Sequence, residues 1–178
     1  MPLVLMTVVY GKEESAKLEV LDCIFPRDPG ARFLEHGYGG LLVLETSLSS
    51  DDATRILADS PTSLIFKITP VDSLVQSAMD SICSEVLRLV GAGDQSISVS
   101  CRRRGRAIAS SSEVERQVGS ALKEAGHTID LEHPDLNVRI DIIGGRTTIS
   151  VKTPAVFLVK MKGSGGDRAE VKNRKSTQ

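Results

Sequence analysis

Val138 to Val151 reads VRIDIIGGRTTISV. Val138, Ile140 and Ile142 alternate with Arg139 and Asp141, the period of two that turns one face of a strand toward a core. Gly144-Gly145 follows, and a glycine pair between two such runs suits a two-residue hairpin turn that needs positive φ. Ile149 and Val151 complete the inner face of the returning strand. A slip of one residue would carry every inward side chain to the outside, so this segment holds its register tightly. It commits the second half of the chain to an antiparallel pair with one buried face, and the neighbouring segments must cover that face.

Two amphipathic helices are predicted in the same half of the chain. In SLVQSAMDSICSEVLRLV, with Asp72 as the expected N-cap, Val75, Ala78, Met79, Ile82, Val86 and Leu89 recur at helical spacing, and Gly91 to Gly93 supplies the stop. Val114, Val118, Ala121, Leu122 and Ala125 trace the second helix, whose start carries a capping box, Ser110 with Glu113 or Ser112 with Glu115. Between the helices, Ile97, Val99 and Cys101 alternate with serines in a strand expected to end near Arg103. AVFLVKMK, from Ala155, is a further strand candidate.

The first half opens on LVLMTVVY, a continuous apolar run typical of a strand covered on both faces. The helix EESAKLEVLDCIF is expected to turn Leu18, Leu21 and Ile24 inward. Two short strands flank the glycine-rich turn of RFLEHGYGGLLVLET, a helix capped by Ser50 or Asp51 runs to Pro61, and SLIFKIT is the last strand. The order β-α-β-β-α-β is that of a ferredoxin-like unit.

The overall charge of −1 conceals a division. Residues 1–95 hold 7 basic against 14 acidic side chains, and residues 96–178 hold 15 against 9. Such asymmetry points to an anionic partner for the second half and leaves the acidic half as a candidate docking face for another protein. No apolar window reaches the length of a membrane span and the N-terminus lacks a leader pattern, so a soluble, cytoplasmic protein is expected. Cys23, Cys83 and Cys101 are odd in number and set among apolar neighbours, as core thiols are.

The positive charge is densest where the strand leaves SISVSC: Arg102, Arg103, Arg104 and Arg106, then Ser110, Ser111 and Ser112 at the helix start. Guanidinium groups bind phosphate oxygens in two-pronged fashion, and a helix N-terminus adds free N–H groups and a favourable dipole. Lys152, Lys160, Lys162, Arg168, Lys172, Arg174 and Lys175 could extend the basic surface. Phosphate affinity alone fits a nucleic acid, a nucleotide or an anionic protein. The arginines could equally lie on a solvated strand end balanced by Glu113 and Glu115.

No P-loop or dinucleotide-binding glycine pattern is present. The six aromatics, Tyr10, Phe25, Phe33, Tyr38, Phe66 and Phe157, are not interleaved with the arginines, which disfavours base stacking and favours folded RNA read through shape, phosphates and 2′-hydroxyls. His36, His127 and His133 have no metal-ligand spacing, and the serines lack a neighbouring histidine or nucleophile elbow. The sequence thus predicts neither catalytic residues nor a metal or cofactor.

SISVSCRRRGR, SSSEVERQVGSAL and IDLEHPDLNVRIDIIGGRTTISV, in that order and spacing, resemble the THUMP domain, the RNA-binding module of several tRNA-modifying enzymes. The resemblance implies an α/β (α+β) protein with a ferredoxin-like domain at residues 1–69, a THUMP domain at 70–160 and a basic, disordered tail at 161–178. It also implies tRNA binding around the acceptor stem and 3′ end. Its expected contacts are Arg102, Arg103, Arg104, Arg106, Ser110, Ser111 and Ser112, with Arg146 and Lys152 on the hairpin. About 27 residues follow Val151, fewer than the catalytic domains of THUMP enzymes need, so the chain is similar to the standalone adaptors that assist a separate acetyltransferase in forming 4-acetylcytidine. The expectation is a tRNA-binding adaptor without catalysis of its own, with no DNA or membrane partner. A small-ligand regulatory module and the RNA-binding subunit of a different tRNA-modifying enzyme stay open as alternatives.

Overall fold

A computed structural model of the protein describes residues 1–156. The first part is β1 (Leu3–Val8), α1 (Glu13–Ile24), β2 (Arg32–Phe33), β3 (Leu41–Glu45), α2 (Ser50–Asp59) and β4 (Ile65–Val71). Its four strands form an antiparallel sheet in the order β2-β3-β1-β4, the arrangement expected of a ferredoxin-like unit. β1 reads as an unbroken apolar run because both its faces are covered. Val4, Met6 and Val8 meet Ala16, Val20 and Ile24 of α1 and Ala53 and Leu57 of α2. Leu3 and Leu5, on the other face, join Leu41, Val43, Val71 and Ile143, the last from the second part. Pro70 fits inside β4, opposite Val4, because β4 is an edge strand and a missing N–H costs it no ladder bond.

The second part is β5 (Ser73–Gln76), α3 (Met79–Val90), β6 (Ser96–Arg104), α4 (Ser111–Glu124), β7 (Thr128–Ile129), β8 (Leu136–Ile143) and β9 (Arg146–Lys152). The sheet order is β5-β9-β8-β6-β7, with β6 parallel to β8 and to β7. The hairpin forms as its alternation requires: Ile143 faces Arg146 across Gly144-Gly145, and Gly144 takes φ +59°. Val138, Ile140, Ile142 and Ile149 lie under Ile82 and Val86 of α3 and Val114, Val118 and Leu122 of α4.

Five local expectations are corrected. α3 begins at Met79, and the preceding Ser73–Gln76 is strand, because it pairs with β9, whose edge would otherwise be bare. Asp72 caps no helix; its carboxylate accepts the Val151 N–H at 2.7 Å. In α1 the buried residues are Ala16, Val20 and Ile24, whereas Leu18 is 65% exposed. The α2 cap is Ser49, which accepts from the Asp52 N–H. Ala155 and Val156 belong to a 3-10 turn, Pro154–Val156. The rest of the expected last strand and the basic tail lie outside the described residues.

Candidate nucleic-acid interface

β6 carries the arginines out of the sheet, and its pairing with β8 persists to Arg104 opposite Ile143. Alternation then sorts them. Ile97, Val99 and Cys101 face the helices, so Arg103 shares their side, while Arg102 and Arg104 stand on the opposite face. The Arg103 guanidinium folds over the connection and donates to the carbonyls of Gly105 at 3.3 Å and Ile108 at 3.1 Å. It braces the loop between β6 and α4. Among the described residues, Arg102, Arg104 and Arg106 form no ion pair.

The carboxylates that could have balanced them are engaged elsewhere. Glu113 accepts from Arg116 at 2.6 and 3.0 Å and from Gln117 at 2.6 Å, and these donors, the Arg116 guanidinium first, hold its carboxyl down at about 2. Glu115 accepts the Cys101 N–H at 2.7 Å. β7 covers β6 only at Ser96 and Ile97, so this bond satisfies part of the free edge that β6 leaves beyond β7. Asp141 lies opposite Arg102 in the ladder but pairs with its own-strand neighbour Arg139 at 3.0 Å, both buried. Beside them Cys101 is an inert thiol, pushed up to about 12 by burial and by the charges of Glu115 and Asp141.

α4 runs back from the same end of the sheet. Ser110 is its N-cap and accepts from the Glu113 N–H at 3.3 Å, leaving Ser111 and Ser112 in the first turn with the orphan N–H groups of a helix start. Arg146 joins this end from the hairpin. It is exposed, and the register places it in one row with Ile143 and Arg104. Two strand spacings separate Arg104 from Arg146, about 10 Å. Lys152 is six residue pairs along the ladder, at the other end of β9, opposite Asn137. Its ammonium is held between Asp72 at 2.7 Å and Asp51 at 3.2 Å. The structure therefore brings together Arg102, Arg104, Arg106, Arg146 and the α4 start, and sets Lys152 apart.

Two residues of the first part border this end. The connection from β2 to β3 carries His36 and Tyr38, whose rings stack 6.1 Å apart at 15°. Burial lowers the pKa of His36, the nearby Arg104 charge lowers it further, and Glu35 opposes them. Sequence reading passed over this pair, and its one signal was an aromatic inside a run of glycines, HGYGG.

The remaining histidines have structural tasks. His133 N–H donates to Asp130, which shapes the turn before Pro134, and His127 is buried with Nε2 3.1 Å from the Gly91 carbonyl. Among the described residues no group of three or more His, Cys, Asp or Glu could hold a metal ion, and no helix is long and apolar enough to cross a membrane.

Comparison with known proteins agrees with this architecture. Residues 79–152 match the family model described as THUMP domain. A search of curated protein sequences found no match. Among solved structures, PH1313 from Pyrococcus horikoshii superposes with a TM-score of 0.67 at 18% identity, over 85% of this chain and 54% of its own. TrmN from Thermus thermophilus gives 0.56 at 22% identity, over 84% and 45%. A 4-thiouridine synthetase in complex with RNA and ATP gives 0.53 at 11% identity, over 86% and 42%. The chain thus spans about half the length of these proteins, and the likeness is one of fold. Residues 79–152 thus match the THUMP domain model, and in this chain the matched segment follows a β-α-β-β-α-β unit.

Proposed function

We propose that the chain binds tRNA at the open end of β6 and acts as an adaptor that presents the RNA to a modifying enzyme. One observation carries the reading: Arg102, Arg104, Arg106 and Arg146, which form no ion pair among the described residues, lie at the end of the second sheet from which α4 starts. Guanidinium groups and orphan helix N–H groups suit consecutive phosphates and recognition by backbone and shape. The acceptor stem and 3′ end are the part of tRNA that the family resemblance points to. The catalytic partner in this reading is a separate acetyltransferase forming 4-acetylcytidine, a choice resting on similarity to standalone THUMP adaptors. The adaptor contributes affinity and orientation, and the partner does the chemistry.

The test is a salt titration of binding to total tRNA, with duplex DNA of similar length as control. The expected result is preferential tRNA binding whose dependence on salt flattens by about one unit of slope for each arginine lost in Arg102→Ala and Arg104→Ala. Unchanged affinity in the double variant would eliminate this site. Co-purification with an acetyltransferase, set against other tRNA-modifying enzymes, tests the choice of partner.

A further inference from the structure

The loop between β2 and β3 leaves the first sheet and ends on the basic end of the second. A methyl group on Gly105 would lie 2.4 Å from the Tyr38 hydroxyl and 3.2 Å from Gly144 Cα. One on Gly144 would lie 3.0 Å from the same hydroxyl. The phenol tip therefore fills the notch between two turns, the bend at Gly105 (φ +90°) that opens the arginine loop and the hairpin turn at Gly144 (φ +59°). These turns are joined by the Gly144 N–H donating to the Arg104 carbonyl at 2.9 Å. Only glycine admits both the backbone conformation and the approach of the ring.

Tyr38 is itself held from behind. Its N–H donates to His36 Nδ1 at 3.0 Å, and its ring joins Leu34 against Leu3, Leu5, Leu41, Val43, Val71 and Ile143, the apolar cluster shared by the two sheets. The anchor belongs to the first unit, and what it touches belongs to the RNA-facing end of the second. Arginine side chains on a loose loop lose conformational freedom when RNA binds, and a fixed loop lowers that cost.

We propose that Tyr38 is a positioning residue for RNA: by wedging Gly105 against Gly144 it holds Arg104, Arg106 and Arg146 as one preset group of phosphate contacts. The proposal deepens the tRNA-binding reading and rests on it. It assigns the first unit a part in RNA affinity through a side chain that need not touch RNA.

The experiment is a double-mutant cycle in the full chain, with tRNA affinity, salt slope and hydrogen exchange of residues 105–110 as readouts and urea unfolding as the check on folding. Tyr38→Ala should weaken tRNA binding about tenfold, flatten the salt slope and speed exchange in the loop. Gly105→Ala should weaken binding in the wild-type background and weaken it less in Tyr38→Phe, where the nearest remaining ring atom would stand 3.3 Å from the new methyl. That non-additivity is what a purely structural tyrosine would not produce in affinity, and the cycle decides the matter if Tyr38→Ala fails to fold. Wild-type affinity in a folded Tyr38→Ala, or equal effects of Gly105→Ala in both backgrounds, overturns the proposal. Arg102→Ala with Arg104→Ala separates the two levels. If that pair weakens binding and the cycle shows no coupling, the positioning role alone fails; if it does not weaken binding, the RNA reading fails and takes the positioning role with it.

Discussion

Replacing Lys152 by methionine asks whether a lysine at a basic hairpin serves the RNA or the fold. Its ammonium lies 2.7 Å from Asp72 and 3.2 Å from Asp51, with the side chain 16% exposed. Asp51 stands on α2 and Asp72 between β4 and β5, so the cation ties the end of β9 to the first unit. At an effective dielectric of about 20, a charge pair at 4 Å attracts by about 4 kcal/mol, and desolvating a largely buried ammonium offsets most of that. Methionine keeps the apolar stem, and Asp72 keeps its bond from the Val151 N–H at 2.7 Å. The net loss should be about 1–2 kcal/mol, a fall of about 2–8 °C in Tm for a chain of this size.

A pH dependence accompanies it. Burial pulls the Lys152 pKa down, but the hydrogen bonds and charges of Asp72 and Asp51 outweigh it, so the ammonium titrates above its ordinary 10.5. A raised lysine pKa supplies stability that is complete below the unfolded-state value and is lost as pH rises through the folded one. Wild type and Lys152→Met should therefore differ in urea midpoint at neutral pH and converge in alkali beyond 10.5. In the same preparation, tRNA affinity should be unchanged. A variant that unfolds like wild type but loses tRNA affinity would refute the reasoning and return Lys152 to the RNA surface.

Two further substitutions test the supports of β6. Glu115→Ala orphans the Cys101 N–H, which should cost about 1–3 kcal/mol and speed exchange of that amide; an unaltered exchange rate would mean that the carboxylate does not cover the strand edge. Asp141→Asn leaves the Arg139 guanidinium, 8% exposed, without its charge partner and should cost about 3–5 kcal/mol in urea unfolding. Combining Arg139→Met with Asp141→Leu should recover most of the loss, and a double variant as unstable as Asp141→Asn would count against a desolvated pair.

Much of the fold was legible because local chemistry and tertiary demand agree. The alternation at Val138, Ile140 and Ile142, the Gly144-Gly145 turn and the Ser110 cap each have a short-range cause that the structure retains. Ser73–Gln76 was misread because its apolar spacing suits a helix, while the edge of β9, more than 60 residues away, makes it a strand. Leu18 was misplaced for a related reason: the face of α1 that fits against β1 is the row Ala16, Val20 and Ile24, and Leu18 lies on the far side of the helix from it.

The candidate site divides along the same line. By itself the sequence determined that a strand would deliver arginines to a helix start and that a hairpin would form further on, since strand alternation, turn chemistry and capping are set within a few residues. Only the tertiary structure decided which cations are free. Arg103 bends back onto its own loop, Arg139 is buried with Asp141, Lys152 is held by two carboxylates from distant segments, and Tyr38 reaches the arginine loop from another sheet. Charge partners and wedges of this kind are contacts between residues far apart in the chain, and spacing along a sequence carries no record of which pairs the packing will bring within 3 Å.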